Sequence, residues 1–82
     1  MKLTIEISLY PLQSDYRPII RDFINQLNTH AELNIVTNAM STQVTGDYDA
    51  LMSILQKTMK HSYVTFGKAV FVVKFIGDEL AI

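Results

Sequence analysis

The side chains best suited to chemistry in this chain are the small polar ones of the run Thr37–Val44. Thr37, Asn38, Ser41, Thr42 and Gln43 lie between two apolar stretches, where a short surface turn would be enough. Hydroxyl and amide groups both donate and accept hydrogen bonds. Asn and Ser also satisfy the backbone of ordinary turns, and for each residue taken singly we favour that role. The density of the whole run favours a pocket for an uncharged polar ligand.

Glu6 is the acidic residue that best complements this polar run. Ser8 and Tyr10 follow it at steps of two in an alternating stretch, so the three side chains are expected on one face of a strand. A carboxyl group can bind a ring nitrogen and the exocyclic amine of an aminopyrimidine together. The alternative is a salt bridge from Glu6 to Lys74 on a neighbouring strand. Met40 is either core filler or a soft surface that packs on a flat ring.

Little else in the sequence suggests catalysis or metal binding. The chain has 2 His and no Cys, and neither His30 nor His61 has a second metal-ligating residue at a suitable spacing. There is no Ser–His–Asp order, phosphate-binding glycine loop or zinc signature. We therefore expect no catalytic residue, no metal and no cofactor. A small enzyme would have to use Glu6 as its acid or base, and no partner for that role is apparent.

Size and composition predict one domain, residues 1–82, that associates with copies of itself. The chain has 82 residues, of which 49% are apolar, and no cysteine for a disulfide. A domain this small buries a limited fraction of its surface when it is alone. Part of its apolar surface is therefore expected to be buried in a homo-oligomer.

Charge and hydropathy exclude several partners. The formal net charge is −1 and no basic stripe is present, so nucleic-acid binding has no electrostatic footprint. No stretch approaches the roughly 20 apolar residues that a membrane helix needs. The first residues alternate like a strand and lack the features of a signal peptide. These features predict a cytoplasmic protein without membrane insertion.

Hydrophobic periodicity predicts six elements, which must position the polar residues. The predicted strands are residues 2–10, 33–38, 42–45 and 68–76, and the predicted helices are residues 16–29 and 48–66. Ser14 or Asp15 is expected to cap the first helix and Asp47 the second, with Gly67 in the left-handed position after it. The aromatic residues at helical spacing are expected in the core: Tyr16, Tyr48, Tyr63 and Phe66.

The order strand–helix–strand–strand–helix–strand is that of a ferredoxin-like βαββαβ sandwich. This α+β fold places two helices on one face of a four-stranded antiparallel sheet. The other face would be bare in the monomer and would mix apolar and polar side chains. A second copy packed on this face, with a ligand near the interface between the two copies, would account for that mixture. The residues expected there are Thr4, Glu6, Ser8, Asn38, Gln43, Val70, Val72 and Lys74.

Four segments resemble the thiamine- and hydroxymethylpyrimidine-binding YkoF-like family. They are Glu6–Leu12, Thr37–Val44, Gly46–Asp49 and Gly67–Phe75, and the run Asn38–Gln43 is the most specific. The resemblance covers nearly the whole chain. It implies a ferredoxin-like fold, oligomers built through the sheets, a pocket for thiamine or its pyrimidine precursor, and a role in thiamine salvage or transport without catalysis. The eponymous member resembles two such domains in tandem, so a homodimer or homotetramer would have to supply the second domain here.

Two functional hypotheses follow. In the first, a non-catalytic oligomer binds thiamine or hydroxymethylpyrimidine. In the second, the chain is a ligand-free oligomeric interaction module, and the polar run builds its interface. The first hypothesis assigns ligand contacts to Glu6, Ser8, Tyr10, Asn38, Met40, Ser41, Thr42 and Gln43.

Overall fold

Alternating side chains produce the long first strand, on which the rest of the sheet is built. A computed structural model describes residues 1–82, with β1 at Lys2–Pro11 and β4 at Ala69–Ile76. The first helix, α1, is Arg17–Asn28, and the second, α2, is Tyr48–Phe66. The hairpin consists of β2, Asn34–Thr37, and β3, Thr42–Asp47. The order βαββαβ confirms the predicted ferredoxin-like fold.

All strand pairs are antiparallel, and the sheet order is β2-β3-β1-β4. Opposite residues in such pairs share a face. Glu6 lies between Gln43 of β3 and Lys74 of β4, so these three side chains share the face without helices. We call this face the open face. Its members are Thr4, Glu6, Ser8, Tyr10, Asn34, Val36, Gln43, Thr45, Val70, Val72, Lys74 and Ile76.

The core lies between the opposite sheet face and the two helices. From β1 it receives Leu3, Ile5, Ile7 and Leu9, all of them buried as the alternation predicted. Phe23 of α1 packs on Phe71 of β4 with ring centroids 5.0 Å apart, and the ring of Tyr63 meets Phe71 edge-on at 5.3 Å. Such tilted and edge-on pairs stabilise a core beyond the area that they bury.

The helix ends agree only in part with the sequence prediction. Asp47 caps α2, because its Oδ2 accepts a hydrogen bond from the backbone N–H of Ala50 at 3.4 Å. Gly67 has φ of 97°, a conformation that favours glycine. The expectation that Ser14 or Asp15 caps α1 is wrong. The N-cap residue is Tyr16, and no side chain bonds the free amides there.

The last residues fold back over one end of the open face. The hydroxyl of Thr4 donates to the carbonyl oxygen of Asp78 at 2.7 Å and accepts from the N–H of Leu80 at 2.9 Å. Thr4 and Thr45 are both buried, although they lie on the face without helices. The free part of the open face is therefore the part nearer to Tyr10. Neither helix combines the length and apolarity that crossing a bilayer requires.

Candidate functional site

The unequal lengths of β1 and β3 create the candidate site. Pairing between these strands ends where Ile7 faces Thr42, whereas pairing of β1 with β4 continues to Pro11. The segment Ser8–Pro11 therefore has a strand on only one side. Backbone groups along such an edge are free to bond a ligand.

A cleft of about 430 Å³ lies along this free edge. We call it the hairpin cleft. Clefts of this size are typical of small-molecule sites. Its walls are β1, the start and inner face of α1, and the β2–β3 connection. The lining residues are Ile7–Pro11, Tyr16, Ile20, Phe23, Ile24 and Thr37–Thr42.

The floor of the hairpin cleft is apolar and well packed. Phe23 is only 2% exposed and is held by its contact with Phe71, and Leu9 is also buried. Ile20 is packed against the same core. An apolar lining of this kind can bury part of an aromatic ring, and the burial of apolar area is favourable.

The β2–β3 connection forms the polar wall. Asn38 Oδ1 accepts hydrogen bonds from the backbone N–H groups of Met40 at 2.8 Å and Ser41 at 3.1 Å. The turn-forming role of Asn38 is thus confirmed. Its Nδ2 makes no hydrogen bond within the chain, so Asn38 keeps a donor beside the cleft. The buried Thr42 lies deeper, and its Oγ1 is 3.1 Å from Oγ1 of Thr37.

A chain of polar contacts joins this wall to the open face. Ser41 Oγ donates to Glu6 Oε2 at 2.9 Å and accepts from Gln43 Nε2 at 3.5 Å. The other oxygen of Glu6 lies 3.5 Å from Nζ of Lys74. The salt bridge that the sequence offered as the alternative role of Glu6 is therefore present. It leaves Glu6 in contact with the hairpin cleft through the Ser41 hydroxyl.

The sequence matches one known protein family over most of its length. A model of the YKOF-related family matches residues 2–75. The chain belongs to this family. The expected family membership is thereby confirmed over nearly the whole chain. Comparison with curated proteins gives no significant match.

Solved structures confirm the fold of this YKOF-related family member. A Streptococcus pneumoniae protein superimposes with a TM-score of 0.86 at 28% identity, over 98% of this chain and 90% of its own. A Methanocaldococcus jannascii protein gives 0.80 at 21% identity, over 95% and 81%. A Thermotoga maritima protein, described as a candidate for thiamine biosynthesis or salvage, gives 0.81 at 17% identity, over 92% and 82%. At such low identities, the last two show the fold alone.

The structure brings six of the eight predicted ligand contacts to the hairpin cleft. Glu6 and Gln43 do not line it and stand behind Ser41 on the open face. This division arises because Glu6 and Gln43 pair with each other inside the sheet, whereas Ser8 and Tyr10 lie on the free edge beyond the end of the β1–β3 pairing. The six residues that line the cleft are Ser8, Tyr10, Asn38, Met40, Ser41 and Thr42.

Sequence reasoning missed the contribution of α1. Tyr16 was expected in the core, but it is 45% exposed and lines the cleft. Tyr16 lies at the start of the helix, one turn before Ile20. This position could have indicated that its side chain lies at the rim of a cleft and not in the core. Tyr48 and Tyr63 are also exposed rather than buried, whereas Phe66 packs against the core. No group of three or more His, Cys, Asp or Glu side chains is placed to hold a metal ion.

Proposed function

We propose that this protein binds thiamine or its hydroxymethylpyrimidine moiety in the hairpin cleft, as a non-catalytic protein of thiamine salvage or transport. The observation that carries the proposal is the position of the Asn38–Thr42 segment. This segment lies within the run Asn38–Gln43, the most specific part of the sequence resemblance, and it also forms the polar wall of the cleft. The Thermotoga maritima neighbour is described as a candidate for thiamine biosynthesis or salvage, which is consistent with a thiamine-related role.

The chemistry of the cleft suits an aminopyrimidine. The ring face would lie on Ile20 and Tyr16, and its polar edge would face Ser41, Thr42 and the free amide of Asn38. Burial of the ring supplies affinity, whereas the hydrogen bonds select the heterocycle. In this arrangement Glu6 orients the Ser41 hydroxyl and is a positioning residue.

We further propose that a second copy of the chain completes the pocket. Tyr10 is 55% exposed and Met40 is 85% exposed at the mouth of the cleft. Val70 and Val72 are exposed on the adjoining open face, at 46% and 50%. A homodimer or homotetramer packed through this face would cover the two valines and Tyr10 together. The cleft would then be enclosed where it is now open to solvent.

Thermal unfolding with an excess of thiamine or hydroxymethylpyrimidine tests the proposal. A ligand at about 100 times its dissociation constant adds roughly 2.7 kcal/mol of stability. For a domain of this size, that is a shift of several degrees. The variant Ala39→Trp should abolish the shift because it fills the cleft. Ala31→Trp is the matched control, since Ala31 is exposed and does not line the cleft.

The second candidate function is a ligand-free interaction module. The exposed valines of the open face favour it, because apolar groups collected on one face mark contact surfaces. It predicts an oligomer whose melting temperature does not respond to either compound. A shift that persists in Ala39→Trp would place the ligand elsewhere and contradict our assignment of the cleft.

A further inference from the structure

The hairpin cleft contains no ionised side chain. None of its 15 lining residues is Asp, Glu, Lys, Arg or His. In the whole chain, by contrast, 18% of the residues are charged. The nearest connected charge is the carboxylate of Glu6 behind Ser41, and it is paired with Lys74.

We infer that the hairpin cleft accepts an uncharged or singly cationic heterocycle and rejects its phosphate and pyrophosphate esters. The inference rests on the proposed function and defines its ligand class more narrowly. An anion that enters the cleft would lose hydration without gaining a cationic partner, which is costly. Phosphate sites normally supply Arg or Lys for this purpose. Lys74, which is connected to the cleft only through Glu6 and Ser41, already contacts the Glu6 carboxylate and is on the open face.

The start of α1 does not replace the missing cation. Helix N-termini attract anions through their free amides. Here Pro18 has no N–H, so the first turn offers only the free amides of Arg17 and Ile19 to an anion. Arg17 follows Tyr16 but does not line the cleft, and Asp15 precedes it with the opposite charge. The helix start therefore has fewer free amides than usual, and no cationic side chain of this turn lines the cleft.

A cationic ring meets no such obstacle. Tyr10 and Tyr16, which are 55% and 45% exposed, provide accessible aromatic surface in the cleft. Aromatic faces attract cations through the ring quadrupole. The thiazolium of thiamine and the neutral hydroxymethylpyrimidine are both compatible with this lining, whereas a terminal phosphate group is not.

Calorimetric titration of the full chain with thiamine, hydroxymethylpyrimidine, thiamine monophosphate and thiamine pyrophosphate tests the inference. We expect both esters to bind at least about tenfold more weakly than thiamine, a difference of about 1.4 kcal/mol or more. Esters that bind as tightly as thiamine would overturn the inference and leave the proposed function standing. Absence of binding by all four compounds would overturn the proposed function and this inference with it.

A charge-adding variant provides a gain-of-binding test. Met40→Arg places a guanidinium at the cleft mouth, where residue 40 is 85% exposed and the fold should tolerate the change. It should reduce the discrimination between thiamine and its monophosphate, since Arg pairs with phosphate. Val64→Arg is the control, because Val64 is 77% exposed on α2 and does not line the cleft. Equal effects of the two variants would attribute the change to net charge and contradict the inference.

Discussion

Ser41 Oγ lies 2.9 Å from Oε2 of Glu6 and connects the hairpin cleft to the open face of the sheet. Ser41 lines the cleft, whereas Glu6 belongs to the surface proposed to meet a second copy. The Ser41 hydroxyl is therefore shared between the two proposed binding surfaces. Its orientation depends on Glu6, which in turn contacts Lys74 at 3.5 Å.

Removing the Ser41 hydroxyl should weaken ligand binding more than neutralising Glu6. Ser41→Ala deletes a polar contact of the cleft, which costs about 1.4 kcal/mol, or a tenfold rise in Kd. Glu6→Gln keeps an oxygen that can still accept from Ser41, so its effect should be smaller. Calorimetry with thiamine measures both, and Ser53→Ala on α2 is the control. A larger loss in Glu6→Gln would mean that Glu6 contacts the ligand directly, as the sequence alone suggested.

Tyr16 should contribute to affinity without contributing much to stability. Its side chain lines the cleft and is 45% exposed, and it makes no capping bond to α1. Tyr16→Ala should raise the Kd for thiamine several-fold, because an aromatic wall is lost. The matched control is Tyr48→Ala, which removes a tyrosine that is 40% exposed at the start of α2 and outside the cleft. Similar losses of affinity in both variants would exclude a specific role for Tyr16.

A charge on the open face should dissociate the proposed oligomer. Val72 is 50% exposed and faces Ser8 in the register of β1 and β4. Val72→Asp would bury an unpaired carboxylate in a sheet-to-sheet interface, which is strongly unfavourable. Sedimentation velocity should then show a monomer, with the circular dichroism of the folded chain retained. Val64→Asp on α2 is the control, and an unchanged assembly in Val72→Asp would rule out this face as the interface.

Loss of the Thr4 hydroxyl should release the C-terminal tail. Thr4→Val conserves the shape of the side chain but leaves the Asp78 carbonyl oxygen and the Leu80 N–H without partners. The free energy of unfolding, measured by urea denaturation, should fall by about 1–3 kcal/mol. Hydrogen exchange at the Leu80 amide should also accelerate, which distinguishes tail release from a general loss of stability. Thr65→Val, at an exposed helix position, should change neither measurement.

The sequence by itself determined the order of the helices and strands. It also determined which face of the sheet each side chain of the long strands points to. Alternation in β1 assigned Ile5 to the core and Glu6 to the open face, because adjacent strand residues point to opposite sides. Asp47 and Gly67 marked the ends of α2 through local chemistry, a cap in one case and a positive φ in the other. The polar residues of the connection were also recognisable as a candidate wall.

Only the tertiary structure decided where the cleft lies and what else lines it. The cleft exists because β3 stops opposite Ile7 while β1 continues to Pro11, and strand register depends on contacts between distant segments. Tyr16 lines the same cleft as Ser41 because α1 packs on the sheet, and local periodicity does not report that packing. The position of the C-terminal tail was likewise decided only by the tertiary structure. The hydrogen bond from Thr4 to Asp78 joins residues 74 positions apart and leaves no local pattern in the sequence.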